Sequence, residues 1–347
     1  MSTNKLPTKF FFPIIFLAVS FGYFWSIHGF TLTGIDDANI FFVYAKNFSS
    51  GAGFVYNIGG EHVEGFSSIL WTLIGSLVFY IADFVAVKPE LILLMLNLLL
   101  VVVTAAVSQS FIVQFPDAER DMRLWQAGFL FLLLTAPNFI FWSTFSLMEV
   151  ALWCLLLTLT TVLILRTELN GATSGLLSAL FVLMILTRPE SYLWVFLFSA
   201  IYFLRLFQKD GWKRAVTLLL APIVTIIMTI GLVTIFRLNY FGYPFPNTYY
   251  AKVSPSIGWN LFEGSRYLIG FALSNPIATL AVIAVFANLY KLVATLIRFE
   301  GTITPMLFLS AIGFVGLSIP LITGGDHFAG YRFYQAIYPI LLVNLTY

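Results

Sequence analysis

The acidic residues best suited to chemistry in this chain lie in residues 34–68. Asp36 and Asp37 are adjacent there, although only 10% of all residues are charged. Apolar residues recur at four-residue spacing after this pair, so a helix is predicted to begin here with Asp36 as its N-cap. Carboxylates at a helix N-terminus stay ionised, because the helix dipole and the free N–H groups favour the anion. Such a pair is suited to act as a general base or as a metal ligand.

The remainder of this segment predicts the end of that helix and a turn structure after it. Ser-Ser-Gly at residues 49–51 is a stop signal, with glycine at the left-handed end. Residues 54–57 and 61–66, joined by a turn at 58–60, predict a short β-hairpin. Glu64, a further candidate for ligand contact, lies in the second strand of that predicted hairpin.

Composition indicates that the surrounding chain lies in a membrane. Hydrophobic residues make up 60% of the 347, aromatic residues 18%, and the mean hydropathy is +0.93. These values are far above those of a soluble domain, and the apolar runs are of membrane length. The chain is therefore predicted to be an all-α polytopic membrane protein with a single domain, residues 1–347. The single Cys154 excludes an intrachain disulfide, and no basic cluster favours a nucleic-acid partner.

The distribution of Lys and Arg predicts which loops share one side of the membrane. Two lysines precede an apolar run at 10–30, which favours an uncleaved first span with a cytoplasmic N-terminus. The run at 66–87 is predicted to lie along the outer surface, because this placement returns a later basic joint to the cytoplasm. The outer loops 34–88 and 237–273 then form a cap over one face of the bundle.

About ten transmembrane helices follow from this arrangement. The last apolar run is short for a span, so a missing C-terminal portion is expected. The runs after the opening loop are 66–87, 89–113, 124–142, 149–165, 172–187, 191–206, 215–236, 275–297, 303–323 and 333–347.

Two polar clusters at predicted helix ends have a structural explanation beside the functional one. Glu149 lies in the first turn of a predicted helix, where a carboxylate complements the dipole. Arg188 and Glu190 flank Pro189, which suits the first helical position, and they are able to pair with each other. Under the functional interpretation, Glu149 faces the same pocket as the opening acidic pair, and Arg188 meets an anionic headgroup.

The segment 239–252 is rich in aromatic residues and proline and is too irregular for the hydrocarbon core. Tyrosines in such a place usually form an interfacial belt, and stacking on a sugar ring is the less common use. Asn247, Tyr250 and Lys252 are the candidates for hydrogen bonds to a hydroxylated or phosphorylated ligand. Residues 258–273 predict a surface helix after this segment.

The segment 324–333 combines three glycines with Asp326, His327 and Arg332 between two apolar runs. The glycines permit tight turns and the close approach of a ligand. Charged groups between apolar spans are costly unless they are paired or functional. A structural ion pair between Asp326 and Arg332 is therefore the alternative to a role in binding.

Motifs of several enzyme classes are missing from the sequence. It contains no G-x-S-x-G, no H-E-x-x-H, no Walker loop and no dinucleotide fingerprint. A serine hydrolase, a zinc protease and a nucleotide-dependent enzyme of these types are therefore poorly supported. The polar clusters gathered on one face instead favour chemistry at a boundary between water and membrane.

Six motifs in chain order carry a resemblance to a known family. They are Asp36-Asp37-Ala38, Gly53-Phe54-Val55-Tyr56-Asn57, Val63-Glu64-Gly65, Arg188-Pro189-Glu190, Pro246-Asn247-Thr248-x-Tyr250-Ala251-Lys252, and Gly324-Gly325-Asp326 with Tyr331-Arg332-Phe333. The series spans residues 30–340 and resembles bacterial membrane glycosyltransferases of the GT-C fold. It is most similar to the terminal arabinofuranosyltransferases of mycobacterial cell walls and their relatives. It is more distantly similar to protein mannosyltransferases and lipid A aminoarabinose transferases.

The resemblance implies an inverting glycosyltransferase that builds cell-envelope glycans or lipids. The donor would be a polyprenyl-phosphate-linked sugar, and the acceptor a hydroxyl of a glycan, lipid or protein. The site would lie on the extracytoplasmic side of the bacterial cytoplasmic membrane. The implied fold is a GT-C-like bundle with two juxtamembrane helices in the first outer loop. Residues 1–347 contain no match to the large soluble C-terminal domain of the arabinosyl enzymes, which leaves the acceptor open.

The resemblance also implies roles for individual residues. Asp36 would be the base, with Asp37 beside it as the second catalytic acid. Arg188, Lys252 and Arg332 would hold the leaving polyprenyl phosphate. A divalent cation such as Mg²⁺, Mn²⁺ or Ca²⁺ would suit the oxygen ligands, although no ligand set is defined. The candidates for sugar or acceptor binding are Glu64, Glu149, Glu190, Asn247, Tyr250, Asp326 and His327.

The rival hypothesis is a multi-span transporter or flippase for a lipid-linked or small polar substrate. In such proteins, intramembrane acids mark an ion or substrate path. Against it, the polar residues gather on one face instead of running through the middle of the spans, and the sequence has no evident inverted repeat. A membrane scaffold is a third, non-catalytic alternative.

Overall fold

The computed structural model describes residues 34–112, 122–165, 168–252, 254–298 and 304–345, together with isolated positions between residues 15 and 26. Most of the predicted first span at 10–30 lies outside the described residues. The side chains of Asp36 and Lys252 also lie outside the description, although their backbone is helical. The described chain consists of helices and connecting turns and contains no strand.

The helices are numbered in chain order. They are α1 (Asp36–Ser49), α2 (Ile69–Val85), α3 (Pro89–Ile112), α4 (Met122–Leu134), α5 (Pro137–Ile140), α6 (Val150–Leu165), α7 (Gly171–Thr187), α8 (Ser191–Asp210), α9 (Trp212–Tyr240), α10 (Asn247–Lys252), α11 (Ile257–Ser274), α12 (Pro276–Arg298), α13 (Pro305–Thr323), α14 (Arg332–Gln335) and α15 (Tyr338–Leu345).

Several of these helices are long and apolar enough to cross a membrane. Five meet that description among the described residues, namely α3, α8, α9, α12 and α13. Leu124–Leu134 of α4 and the next helical segment, Pro137–Phe145, are bent by 70° relative to each other, and the two together would count as a sixth span. The helices α2, α6 and α7 are apolar but shorter. The chain is thus an α-helical membrane protein, and the number of about ten spans stays a prediction.

The α1 helix begins one residue earlier than the sequence indicated. Ile35 occupies the N-cap position and Asp36 is the first helical residue, so the prediction that Asp36 caps the helix is wrong. The end is as predicted, because α1 stops at Ser49 and Gly51 adopts a left-handed conformation with a φ of 83°. Both aspartates of the pair therefore lie in the first turn of α1, where the dipole favours a carboxylate.

The predicted β-hairpin after α1 is wrong. Side chains of α1 bind the backbone groups that a second strand would have paired. The Tyr44 hydroxyl donates to the carbonyl oxygen of Val63 at 2.6 Å and accepts from the N–H of Gly65 at 3.1 Å. Asn47 Nδ2 donates to the carbonyl oxygen of Val55 at 2.9 Å. Because the backbone is satisfied in this way, the loop needs no strand pairing.

The centre of the core is α6, which is buried along almost its whole length. Its sequence is apolar on every side, which is typical of a helix surrounded by others. It packs against α3 and α7, while α1 and α2 pack against each other. At Gly75 of α2 the ring of Phe41 leaves no room for a Cβ. This close packing fixes α1, and with it the acidic pair, against the bundle.

The chain that leads into α6 has an unusual backbone. A π-helical turn, Phe141–Phe145, precedes Leu147, which has a left-handed conformation with a φ of 58°. π-Helical turns occur frequently at functional sites, and a bulky residue at positive φ is strained. Leu147 is fully buried, and the Trp71 indole donates to its carbonyl oxygen at 3.2 Å. The strained turn places Met148 and Glu149 in the wall of a large cavity.

Candidate functional site

A cavity of about 880 Å³ lies between the ends of several helices. Its wall comes from the start of α1, the loop before α2, the start of α6, the joint between α7 and α8, the region from the end of α9 through α11, and the segment between α13 and α14. The volume is near the upper end of the range for small-molecule sites. The predicted site residues that line it are Asp37, Glu149, Arg188, Glu190, Asp326, His327 and Arg332.

Arg332 is the centre of the first charged group. Its Nη1 donates to Asp37 Oδ2 at 2.9 Å and lies 3.4 Å from the sulfur of Met148. Its Nε is in ion-pair contact with Asp326 Oδ2, without the alignment of a hydrogen bond. The side chain is 5% exposed, so the two carboxylates offset the cost of burying its charge. Arg332 thereby joins the first and the last polar cluster of the sequence.

Arg188 is the centre of the second charged group. Its Nη1 donates to Glu149 Oε1 at 2.6 Å, and its Nε donates to Glu190 Oε1 at 2.5 Å. Burial alone favours the neutral guanidine, but Glu190 and Glu149 outweigh it and raise the pKa of Arg188 above its ordinary value. Glu149 directly precedes α6 and Glu190 occupies the N-cap position of α8. Both carboxylates are therefore also favoured by a helix dipole.

Phe333 connects the two charged groups. The guanidinium carbon of Arg188 and that of Arg332 each lie 5.3 Å from the centroid of its ring. A cation over an aromatic face is attracted by the ring quadrupole. Asp326 also contributes to the raised pKa of Arg188. The two groups therefore form one charged wall around a shared ring.

His327 lies at the edge of this charged wall. Its Nδ1 is 3.3 Å from Asp326 Oδ1, and its backbone N–H donates to the same oxygen at 2.9 Å. The imidazole is mostly exposed, whereas Asp326 is buried. His327 is thus within reach of a ligand that enters the cavity.

The glycines of the 324–333 segment act as predicted, by permitting tight turns. Gly330 has a φ of 80°, and a Cβ there would lie 2.8 Å from Nε1 of Trp142. That Nε1 donates to the carbonyl oxygen of Ala329 at 3.0 Å. The next residue, Tyr331, is also left-handed and precedes α14. This compact turn directs Arg332 back towards α1.

Glu64 lies outside the cavity and has a structural contact instead. Its carboxylate pairs with Arg237 at the end of α9, with Nε–Oε2 and Nη2–Oε1 distances of 2.9 Å. Both side chains are buried. Burial raises the pKa of Glu64 above its ordinary value, and Arg237 pulls it down only in part. The contact ties the first loop to α9, and the cavity lining gives no support to the prediction that Glu64 binds sugar or acceptor.

Asn247 and Tyr250, two other candidates for sugar binding, do not line the cavity either. The backbone N–H of Asn247 donates to the carbonyl oxygen of Glu64 at 3.0 Å, and the Tyr250 ring is about half exposed. The residues of this segment that do line the cavity include Phe245, Thr248 and Tyr249. Because α10 begins at Asn247, its helical turn selects different side chains from those that the extended segment suggested.

The structure adds two walls that the sequence did not assign. The apolar wall carries no charge and reaches the surface at Leu193, which is exposed at the start of α8. The aromatic wall comes from the chain after α9, from α10 and from the start of α11. The apolar wall consists of Leu193, Trp194, Gly316, Ile319, Pro320 and Ile337, and the aromatic wall of Phe245, Thr248, Tyr249, Trp259, Asn260 and Glu263.

One signal in the sequence pointed to the aromatic wall. Trp259 and Glu263 are four residues apart in the predicted surface helix, which places them on the same face. Nothing local marks the apolar wall, because its residues resemble those of any transmembrane helix. Phe333 stood in a motif but had no role attached to it.

A divalent cation has no evident site among the described residues. They contain no group of three or more His, Cys, Asp or Glu side chains arranged to hold a metal ion. The acids of the charged wall contact arginines instead. These described residues therefore do not fit a metal centre.

Fold and cavity together define a class: an α-helical membrane protein whose helix ends enclose a charged, partly apolar cavity. Comparisons with family models, with curated proteins and with solved structures find no match.

Proposed function

We propose that this protein is an inverting glycosyltransferase that moves a sugar from a polyprenyl-phosphate donor to an acceptor hydroxyl. The observation that carries the proposal is the charged wall, where Arg332 contacts Asp37 and Asp326, and Arg188 contacts two glutamates. Transfer of a sugar from a glycosyl phosphate requires a carboxylate that accepts the proton of the acceptor hydroxyl and cations that bind the leaving phosphate. The adjoining apolar wall suits an isoprenoid chain, which would enter from the membrane beside Leu193.

The two arginines are the proposed ligands for the donor phosphate. Their contacts with carboxylates use Nε and Nη1 of each guanidinium. Arginine has five N–H donors, and within the described residues those of Nη2 make no hydrogen bond, which leaves them for phosphate oxygens. The charge on the phosphate grows as the bond to the sugar breaks, and fixed donors in a partly dehydrated site stabilise that change. Lys252 would be a third cation.

The chemical step needs one base. The acceptor oxygen attacks C1 of the sugar while the bond from C1 to the phosphate oxygen breaks, and polyprenyl phosphate leaves. The acceptor proton passes to a carboxylate, for which we propose Asp36, with Asp37 as the neighbouring acid that is oriented by Arg332. Positioned proton transfer of this kind typically contributes about 100- to 10,000-fold in rate. Attack opposite the leaving phosphate inverts the anomeric centre.

The experiment that tests the proposal is a screen with purified protein. A set of polyprenyl-phosphate sugars is incubated with the protein and mixed acceptors, and mass spectrometry follows both the sugar adducts and the free polyprenyl phosphate. We expect one donor to be consumed, with inverted configuration in the product. If every donor stays intact while the same protein moves a labelled lipid-linked sugar across vesicles, the transport hypothesis replaces the transferase.

The proposed location is the bacterial cytoplasmic membrane, with the cavity on its extracytoplasmic side. The protein's helices support a membrane location, and the side is taken from the distribution of Lys and Arg in the sequence. A polyprenyl-phosphate donor and a cell-envelope acceptor both suit that side.

A further inference from the structure

The proposed donor contacts the charged wall with its phosphate and the apolar wall with its isoprenoid chain. The third wall of the cavity, the aromatic wall, is left without a ligand. Phe245, Tyr249 and Trp259 supply its rings, which are 38%, 45% and 56% exposed. The rings of Phe245 and Tyr249 lie 5.1 Å apart at an angle of 37°. Rings that line a cavity and still keep much of their surface open are available to a ligand.

Polar side chains are interleaved with these rings. Asn260 is buried, and its Nδ2 donates to the carbonyl oxygen of Ser254 at 2.9 Å, which fixes the amide. Glu263 accepts from Nη1 of Arg266 at 3.0 and 3.2 Å, and Thr248 adds a hydroxyl. The wall therefore presents flat apolar faces together with groups that bind hydroxyls.

This combination selects one chemical class among the three acceptors that the sequence left open. A sugar ring has a C–H face that rests on an aromatic ring and hydroxyls at its edge that bind carboxylates and amides. A lipid chain would cover Asn260 and Glu263 with hydrocarbon and offer no new hydrogen bond to offset the cost of their desolvation. A peptide acceptor is commonly held by strand addition or in a helix groove, and the described residues present no strand edge.

The aromatic wall also adjoins the charged wall. A Cβ at Gly324 would lie 3.3 Å from Oδ1 of Asn260, and Asp326 is only two residues further along the chain. A ring stacked on Trp259 or Tyr249 is thus next to the wall where the donor sugar would be held. We propose that the aromatic wall binds a sugar ring of the acceptor, so that the acceptor is a carbohydrate. This inference deepens the proposed function and rests on it.

The test measures sugar binding separately from donor cleavage. Radiolabelled methyl glycosides and short oligosaccharides of common pentoses and hexoses are equilibrated with the detergent-purified full chain. Variants Trp259→Ala and Tyr249→Ala remove a ring each, and Trp259→Phe keeps one. Trp212→Ala is the matched control, because Trp212 is an exposed tryptophan at the start of α9 outside the cavity.

We expect the wild type to bind at least one of these sugars. Trp259→Ala and Tyr249→Ala should weaken that binding about tenfold, as removal of an aromatic anchor commonly does. Trp259→Phe and Trp212→Ala should bind within about twofold of the wild type, since neither loses a cavity ring. Size-exclusion chromatography checks that each variant is folded.

Release of polyprenyl phosphate from the donor, measured in parallel, separates the two proposals. A wild type that cleaves donor yet binds none of the sugars overturns the carbohydrate acceptor and leaves the transferase standing. Normal sugar binding by Trp259→Ala, with donor cleavage lost, assigns the ring to the isoprenoid chain and also overturns it. Sugar binding that depends on Trp259, without any donor cleavage, keeps the carbohydrate site and rejects the proposed reaction.

Discussion

Arg332 holds two carboxylates at once, and the shape of its side chain makes this contact possible. Nη1 reaches Asp37 and Nε reaches Asp326, so the planar guanidinium fixes both acids in a defined geometry. A lysine ammonium is a single point charge on a flexible stem and is not an equivalent replacement. The arrangement therefore predicts that charge alone is not sufficient at this position.

The corresponding prediction concerns Arg332→Lys. We expect the KM for the lipid-linked donor to rise about tenfold or more, because the Nη2 donors for the phosphate are lost although the positive charge remains. Steady-state kinetics over a range of donor concentrations gives KM and kcat separately. Lys209→Arg, at the far end of α8, is the control for changing one basic side chain into another. An unchanged KM in Arg332→Lys would remove the phosphate from this guanidinium.

The two aspartates at the start of α1 are expected to differ in role. Asp36→Asn should lower kcat by roughly 100- to 10,000-fold, because the proposed base is lost. Asp37→Asn should raise the donor KM as well, because Arg332 loses one of its two anchoring carboxylates. Asp83→Asn changes an exposed acid of α2 that does not line the cavity and serves as the control. Near-normal turnover by Asp36→Asn would transfer the role of base to another acid.

At the scale of the helices, the contact between Glu64 and Arg237 attaches the first loop to the end of α9. Burial raises the pKa of Glu64, and the contact with Arg237 acts in the opposite direction. A buried pair of this kind is destabilising to break but is replaceable by apolar side chains. Its value for the protein is therefore to fix the position of the loop.

A double replacement tests this interpretation. Glu64→Gln should lower the unfolding free energy by about 3–5 kcal/mol, because it leaves Arg237 buried without a charged partner. Glu64→Leu combined with Arg237→Met should recover most of that loss. Thermal unfolding in detergent measures the stabilities, and donor KM should stay constant in whichever of these variants is folded, since the pair lies outside the cavity. Equal destabilisation by the single and double changes would contradict the assignment.

The helices themselves were largely predictable, and the turns between them were not. Apolar runs at 89–113 and 303–323 correspond to α3 and α13 within three residues at each end, because the thickness of the hydrocarbon core sets the length of an apolar spanning helix. The π-helical turn and the left-handed Leu147 have no local signal, since ordinary apolar residues form them. The contact between Glu64 and Arg237 joins residues 173 apart, and nothing in either neighbourhood indicates the other.

At the scale of the whole molecule, convergence of the polar clusters was the decisive prediction. The sequence indicated that Glu149, Arg188 and Asp326 share one face with the opening acids, because the distribution of Lys and Arg puts their loops on the same side of the membrane. The structure brings these residues into one cavity. The pairs Arg188–Glu190 and Arg332–Asp326 were alternatives that the sequence indicated. The second acid of each arginine, Glu149 and Asp37, could not be foreseen, because it depends on packing distances. The catalytic role of these residues stays a proposal.

The distinction between an enzyme and a transporter also belongs to the whole molecule, and labelling of introduced cysteines tests it. Cys154 is the single cysteine of the sequence, so Cys154→Ala gives a cysteine-free background in which single cysteines are introduced. Thr248→Cys and Glu263→Cys report on the cavity, and Lys209→Cys reports on the end of α8. Because α8 has 20 residues, its two ends are about 30 Å apart, the thickness of a membrane core.

A fixed cavity predicts one-sided labelling by a membrane-impermeant maleimide. In intact cells the reagent should reach Thr248→Cys and Glu263→Cys but not Lys209→Cys, and in inverted vesicles this pattern should reverse. A transporter with alternating access would open the same cavity to each side in turn. Labelling of both cavity cysteines in both preparations would therefore contradict the glycosyltransferase, whose donor and acceptor need to meet on only one face of the membrane.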